Sequence, residues 1–340
     1  MMKLFARVFL VPICALLLVF SSSSLAFASP AGAVQTPMNV QQFIPNRNPV
    51  PDIGLYTCNS TTPCPMGVAD YGVNGNSNYN YKAVSFTSWA NFTSLDIKNG
   101  GQITIQQNLV DYGVNEGNNA GEYWPQDVPY LTQTGTGAFT VQELDNIWNF
   151  SSTTAQMGGT IYPNLDGKCS QDGGQPTFYY CEGKQSLSTT LPMEIKMVTV
   201  TGKVPVGQAH AGASYVQFGI WVYHSGTLVG GQNFDKVAFS GTAASAPKIH
   251  VGGKNPFGLY NDAETVLCGP GGGRSHHIVS ISGQISEAYQ AHKSSALTLV
   301  THAWSAGTDT AETVSGVVMS STTSGTGIAS SGTDNNVQLW

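Results

Sequence analysis

Along much of the chain, apolar positions alternate with polar or aromatic ones, a pattern typical of β-strands. Residues 215–224 show this alternation most clearly. Because successive side chains of a strand point to opposite faces, one face would carry only apolar side chains, namely Val216, Phe218, Ile220 and Val222. The opposite face would carry Tyr215, Gln217, Trp221 and Tyr223. This segment therefore predicts a strand with a core face and an aromatic face.

The same period of two recurs elsewhere, and Gly, Asn and Ser separate the segments that show it. These segments are residues 102–110, 193–197, 233–239, 297–304, 314–319 and 337–340. Two short segments, residues 141–149 and 286–292, favour helices instead, and residues 320–336 favour a loop. Many short strands with frequent turns predict an all-β fold, an antiparallel β-sandwich of jelly-roll or lectin-like type with little helix.

The first residues of the chain predict export. Lys3 and Arg7 precede an apolar run, residues 9–20, that is too short for a stable membrane span, and Ala26-Phe27-Ala28 has the small residues of a cleavage site. We therefore expect residues 1–28 to be a signal peptide, residues 29–50 a linker or pro-segment, and residues 51–340 the β-sandwich domain. The predicted product is a secreted, extracellular monomer without a membrane span.

Charged residues make up only 10% of the chain, and the formal net charge is -6. The absence of a basic surplus argues against nucleic acid as a partner. Few carboxylates leave few native ion pairs to lose on protonation, and few basic residues limit repulsion at low pH. The composition therefore suits an acidic medium.

The cysteines predict a disulfide framework, as is usual in a secreted chain. Cys58 lies close to Cys64, and Cys169 and Cys181 flank a Gly-rich loop, so each is a plausible local pair. Cys268 is then left as a buried thiol. Asn59, Asn91 and Asn149 begin glycosylation sequons, which favours surface turns at these positions.

Candidate chemistry begins with two carboxylates, Asp262 and Glu264, which would share one face of a strand before a Gly-rich segment. Crowding two carboxyls raises the pKa of one, so that a proton can be held between them. The competing interpretation is an exposed acidic turn. The seven histidines show no metal-ligand spacing, and histidine is protonated below about pH 5. Chemistry in acid would therefore rest on carboxyls.

Two other stretches carry candidate residues. The first, residues 123–128, contains Trp124, the amide of Gln126 and the carboxyl of Asp127. The second, residues 307–313, contains Asp309 and Glu312. Trp124 and the aromatic face with Tyr215, Trp221 and Tyr223 could floor a substrate groove, or this face could pack under a loop.

The chain resembles the thermopsin family of acid endopeptidases. The resemblance is carried, in the family's order, by residues 54–56, 65–69, 123–128, 145–149, 173–180, 234–237, 258–264 and 309–312. It implies hydrolysis of protein or peptide substrates at acid pH, without a metal or other cofactor. It does not assign a catalytic pair, and the Asp-Thr-Gly signatures of pepsin-like enzymes are missing.

A weaker resemblance to the eqolisin-type glutamic peptidases implies a β-sandwich that uses one Gln and one Glu. Carried over, it assigns Gln126 as the group that orients water and binds the oxyanion, and Glu264 as the general base. Asp127 would then order Gln126. The alternative is an aspartic-type pair of Glu264 with Asp262, Asp309 or Asp127. A carbohydrate-binding or adhesion module and a glycosidase remain as other function classes.

Overall fold

The structure, a computed structural model, describes residues 38–39, 67–73, 80–112, 122–149, 161–162, 168–171, 178–239, 246–252, 263–268, 276–300, 304–306, 317–321, 325–330 and 337–339. All of them belong to one compact unit, Thr36–Trp340. They form two antiparallel sheets packed face to face, which confirms the predicted all-β sandwich.

The first sheet, called sheet I, has eleven strands in the order β1-β21-β22-β18-β4-β13-β14-β15-β10, with β19 and β23 also paired to β18. Its strands are β1 (Met38–Asn39), β4 (Ser85–Ile97), β10 (Ile161–Tyr162), β13 (Met193–Lys203), β14 (Ser214–His224), β15 (Thr227–Phe239), β18 (His276–Gln290), β19 (Thr298–Leu299), β21 (Val317–Ser321), β22 (Gly325–Ser330) and β23 (Val337–Leu339).

The second sheet, called sheet II, has twelve strands in the order β20-β2-β17-β5-β8-β9-β7-β6-β16-β3, and β12 joins β9 to β11. Its strands are β2 (Gly67–Val73), β3 (Asn80–Ala83), β5 (Gln102–Asn108), β6 (Val110–Tyr112), β7 (Glu122–Asp127), β8 (Pro129–Gly135), β9 (Ala138–Asn149), β11 (Lys168–Gln171), β12 (Phe178–Thr190), β16 (Lys248–Gly252), β17 (Ala263–Cys268) and β20 (Trp304–Ala306).

The apolar core lies between the two sheets. Ile220 and Val222 of β14 pack in one cluster with Ile103 and Ile105 of β5 and Leu267 of β17. The inward face predicted for residues 215–224 is therefore confirmed. Burying large apolar side chains contributes about 1.5–3 kcal/mol each, so this layer fixes which residue of each strand faces inward.

Both helix predictions are wrong, because residues 141–149 lie in β9 and residues 286–290 lie in β18. In β9 the inward positions are Val141, Glu143, Asp145 and Ile147. Two acids at core-facing positions hide the alternation that would have predicted a strand. Glu287 does the same in β18, where it is fully buried.

Three smaller predictions are also corrected. The presumed loop at residues 320–336 contains β22 (Gly325–Ser330), and residues 297–304 contribute to two strands, β19 and β20, instead of one. Asn91 lies inside β4, paired on both sides, and not in a surface turn. Within the described part of the chain, no helix has the length and hydropathy to cross a membrane.

Candidate functional site

Three polar residues form a straight row across adjacent strands of sheet II. Gln126 of β7 pairs directly with Asn108 of β5, and Asn108 pairs on its other side with Glu264 of β17. Directly opposed residues of antiparallel strands point to the same face. The residues adjacent to them, Asp127, Gln107 and Thr265, contact sheet I. The row Gln126–Asn108–Glu264 therefore lies on the outer face of sheet II.

Hydrogen bonds join the row into one unit. The Nδ2 of Asn108 donates to Oε1 of Glu264 at 3.0 Å. The Nε2 of Gln126 donates to Oδ1 of Asn108 at 2.7 Å and to Oε1 of Gln106 at 3.1 Å. A primary amide offers two donors and one acceptor group, so Asn108 relays between the other two side chains. We call these three residues the amide–carboxyl row.

Burial differs along this outer face. Glu264 is 1% exposed and Gln126 is 5% exposed. Gln106, which lies on the same face of β5, is half-buried. Trp124, two residues before Gln126 on the same face, is buried, and among the described residues no acceptor receives its indole N–H. Solvent therefore reaches Gln106, the partner of Gln126, and Trp124 supplies a nearby unused donor.

A residue adjacent to each member of the row points between the sheets. Gln107 precedes Asn108, and its amide donates to Oγ of Ser88 at 2.7 Å and accepts from Thr199 at 2.7 Å. Thr265 follows Glu264, and its hydroxyl donates to Oε1 of Glu287 at 2.6 Å. These side chains form a fully buried polar network that ties sheet II to sheet I.

Asp127, which follows Gln126, belongs to a separate buried group. Its carboxyl lies with those of Glu143 and Asp145, with one oxygen of each within 4.8 Å of the others. Burial raises the pKa of all three carboxyls well above the usual range, and the neighbouring Asp235 carboxyl raises it further. The Gly219 N–H donates to Asp127 at 3.4 Å and opposes this shift for Asp127. We call Asp127, Glu143 and Asp145 the inner acidic cluster.

Glu287 is a fourth fully buried carboxyl between the sheets. Burial raises its pKa well above the usual range, the Thr265 hydroxyl lowers it, and the charge of Glu264 raises it again. No group in the described part of the chain donates to its Oε2. Its charged form is therefore disfavoured in the folded protein.

The thermopsin family model matches residues 52–317, most of the chain. The protein belongs to the thermopsin family. This is a family of peptidases, so its substrates are proteins or peptides. No curated protein matches the chain. All members of the amide–carboxyl row and of the inner acidic cluster lie within the matched residues.

In this thermopsin-family chain, the candidate pair Gln126 and Glu264 lies in one hydrogen-bonded row, although the two strands are not neighbours. Asp127 does not order Gln126, because it points to the opposite side of β7. The same sheet separates Asp127 from Glu264, so the structure does not bring that pair together. Asp262, Asp309 and Glu312 lie outside the described residues.

The proposed aromatic groove is not a single surface. Trp124 lies on the outer face of sheet II, whereas Tyr215, Trp221 and Tyr223 belong to β14 of sheet I. Tyr215 packs with Ala238 of β15 and with Val204 and Ala213, which lie between β13 and β14. The ammonium of Lys236 lies 4.3 Å from the ring centre of Tyr215, and that of Lys196 lies 5.5 Å from the ring of Trp221. Alternation predicted an outward aromatic face but could not indicate which sheet would carry it.

Of the predicted disulfide residues, Cys58 and Cys64 lie outside the described part. Cys169 of β11 is directly opposite the buried Cys181 of β12. Opposed residues of an antiparallel pair have the separation that a disulfide requires. The Cys169–Cys181 pairing remains a prediction, and this register supports it.

Sequence reasoning missed Asn108 and Glu143, and it noted Asp145 only as the start of a stretch that carries the family resemblance. Asn108 ends a run of three amide residues, Gln106-Gln107-Asn108, inside a predicted strand. A run of amides puts polar side chains on both faces of a strand, which is unusual. This run was the feature of the sequence that could have indicated a polar site here. Glu143 and Asp145 were assigned to a helix, so their shared inward face could not be anticipated.

Proposed function

We propose that the protein is a secreted acid endopeptidase in which Glu264 and Gln126 act together through Asn108. The observation that carries the proposal is the pair of hydrogen bonds that joins Gln126 to Asn108 and Asn108 to Glu264. Membership of a peptidase family supports the reaction class. The predicted signal peptide supports secretion, and the low content of charged residues supports work in acid.

In the proposed reaction, the carboxylate of Glu264 accepts a proton from water, and the resulting hydroxide attacks the peptide carbonyl carbon. The oxyanion that forms is stabilised by the amide N–H of Gln126. Glu264 then gives the proton to the amine nitrogen as the C–N bond breaks, which yields a carboxylic acid and an amine. Asn108 is a positioning residue that holds the Glu264 carboxylate.

The half-buried Gln106 indicates where substrate would enter. Both N–H groups of Gln126 are used, one by Asn108 and one by Gln106. Gln106 is the solvent-reached partner, so the substrate oxygen would replace its carbonyl oxygen on Gln126. Trp124, with its unused indole N–H on the same face, is suited to donate to a further peptide carbonyl.

The inner acidic cluster is less suited to act on peptides, although close carboxyls are the usual device of aspartic-type enzymes. Asp127 and Asp145 are fully buried between two packed sheets. A peptide would have to separate the sheets to reach them, and separation would expose the apolar core. On the outer face, the half-buried Gln106 is hydrogen-bonded to Gln126, so an approach from that side does not require the sheets to separate.

The direct test is the Glu264→Gln variant, which keeps the shape of the side chain and removes its proton chemistry. We expect peptide hydrolysis at acid pH to fall by roughly two orders of magnitude or more, with an unchanged circular dichroism spectrum. Glu287→Gln makes the same chemical change at a buried position off the row and should keep its activity.

An active Glu264→Gln enzyme would contradict the proposal. Asp309→Asn distinguishes the remaining mechanism. If this variant is inactive while Gln126→Ala keeps near-full activity, a two-carboxyl mechanism replaces the one proposed here.

A further inference from the structure

The inner acidic cluster has few hydrogen-bond donors for its number of carboxyl oxygens. Two of its carboxyls each accept a backbone N–H, Asp127 from Gly219 at 3.4 Å and Asp145 from Val128 at 3.3 Å. The Val198 N–H also lowers the pKa of Asp127, and the Asp145 carboxyl makes side-chain hydrogen bonds with those of Glu143 and Asp235. Apart from such carboxyl contacts, no donor among the described residues reaches the second oxygen of Asp127 or Asp145. These contacts orient both carboxyls and leave one oxygen of each directed away from its N–H donor.

Glu143 is the second, separate observation. It is 2% exposed, and among the described residues no backbone N–H, amide or basic group donates to either of its oxygens. Its carboxyl reaches into the group formed by Asp127 and Asp145, where its hydrogen-bond partner is the Asp145 carboxyl. Buried polar groups are almost always hydrogen-bonded, and each exception calls for an explanation such as an ion. A buried carboxyl whose partner is another carboxyl needs a shared proton or a cation between the two.

Asp235 adds a fourth acid from the opposite sheet. It is the extra residue at a bulge of β15, between Phe234 and Lys236 in the register with β14, and its φ is 30°. A bulge can change the direction of a side chain. Asp235 is fully buried, and it lies close enough to the cluster to raise the pKa of its carboxyls. No basic residue contributes to the pKa shifts of the cluster.

We propose that Asp127, Glu143 and Asp145 bind a hard divalent cation of the calcium type between the two sheets. Ca²⁺ takes six to eight oxygen ligands at about 2.3–2.6 Å, so its ligand oxygens are at most about 4.6–5.2 Å apart. The separation within 4.8 Å fits that sphere. Three carboxyls provide six oxygens, and four of these have no donor among the described residues other than a neighbouring carboxyl.

The donor set also selects the class of metal. All three ligands are carboxylates, which suit Ca²⁺, Mg²⁺ and Mn²⁺ and not softer ions. Mg²⁺ usually retains several waters, whereas this site lies in a packed interior. The bound cation would link β7 and β9 of sheet II, with Asp235 of sheet I adjacent. Its role is structural, and it is separate from the chemistry proposed for the outer face.

The test is calcium titration of the full purified protein after removal of metals with EDTA. The titration is made at pH 7, because metal ligands must be deprotonated. We expect one binding site by calorimetry and a rise in Tm with calcium concentration, as for any ligand of the native state. Glu143→Gln should weaken binding at least tenfold. Glu287→Gln, a matched change outside the cluster, should bind as the unchanged protein does.

Two results would overturn the proposal. One is the absence of calcium binding by the unchanged protein at millimolar concentration, which would leave protons to neutralise the cluster. The other is unaltered binding by Glu143→Gln. If this variant does not fold, Asp145→Asn is titrated in its place. If that variant also fails, anomalous diffraction from Mn²⁺-soaked crystals decides, since a peak among the three carboxyls supports the site and its absence contradicts it. Binding is measured without peptidase activity, so failure here is distinct from failure of the proposed function.

Discussion

The two sides of sheet II use neighbouring residues of the same strands in opposite ways. Outward, Asn108, Gln126 and Glu264 pair with one another in a hydrogen-bonded row. Inward, Asp127 joins an acidic cluster in which carboxyls have other carboxyls as side-chain partners. The outer row combines one carboxyl with amides, whereas the inner cluster combines carboxyls alone. An amide can satisfy a carboxylate, but a carboxylate cannot satisfy another without a proton or a cation.

This difference separates two tasks. The outer row has donors placed for an oxyanion and a carboxyl for proton transfer, on a face that solvent reaches beside Gln106. The inner residues link the two sheets and set how stability depends on pH and, as proposed, on a cation. Activity should therefore depend on the outward member of each neighbouring pair, and stability on the inward member.

The largest expected contrast is between Gln126→Ala and Gln107→Ala. Gln126→Ala removes an oxyanion donor and should lower kcat by about two to three orders of magnitude. Gln107→Ala leaves the buried Thr199 hydroxyl without its acceptor and removes one of the two hydrogen bonds to the Ser88 hydroxyl. We expect it to lower the free energy of unfolding by about 1–3 kcal/mol and to keep kcat. Denaturant unfolding and kcat measured for both variants check this, and an exchange of the two effects would reverse our assignment of the faces.

A smaller effect is expected from Asn108→Ala, which breaks the row at its centre. One hydrogen bond to the carboxylate is lost, which is worth about 1.5–3 kcal/mol and corresponds to a fall of roughly tenfold to a hundredfold in kcat. KM should change little, since Asn108 acts through Glu264. Steady-state kinetics separate the two parameters. A rise in KM with unchanged kcat would instead make Asn108 a substrate-binding residue.

The smallest effect concerns Glu287, whose pKa burial raises well above its usual range. A carboxyl with a raised folded pKa contributes its stability below the unfolded pKa, and that contribution is lost as the pH rises toward the folded pKa. Glu287→Gln should therefore be more stable than the unchanged protein at pH 7, by about 1 kcal/mol or more, and should show a flatter pH dependence. Unfolding titrations from pH 4 to 7 test this, and a loss of stability at pH 7 would contradict it.

The pH dependence that His250 gives to the stability has the opposite sign to that of Glu287. Both proteins in that comparison must therefore retain His250. Burial lowers its pKa to about 4, and the charge of Lys82 contributes to the same shift. A histidine whose pKa is lowered in the folded state contributes fully to stability at a pH above its unfolded-state pKa of about 6.5. That contribution is lost as the pH falls toward 4.

Much of the fold was predictable because apolar alternation survives wherever the core face is apolar. Residues 215–224 form β14 as expected, with Val216 and Ile220 inward. The pattern failed where acids occupy core positions, at Glu143, Asp145 and Glu287. Burying a carboxyl is costly, so sequence rules assign such residues to the surface. The two strands whose core-facing acids break the alternation are β9, which carries Glu143 and Asp145, and β18, which carries Glu287.

The candidate site was predictable only in part. Gln126 and Glu264 could be singled out from their motifs, but their connection depends on β5 lying between β7 and β17. Strand order across a sheet is set by long-range pairing, which local pattern does not encode. Asn108 could therefore be found only once the strands were placed side by side.

The most direct test of the account is a double-mutant cycle on kcat/KM at acid pH, with Gln126→Ala, Glu264→Gln and the double variant. Residues that act as a unit have non-additive effects, so we predict that the double variant is about as impaired as the worse single variant. The matched cycle of Gln126→Ala with Glu287→Gln should be additive. If the effects of Gln126→Ala and Glu264→Gln multiply instead, the two residues act independently, and the claim that the row is one catalytic unit is wrong.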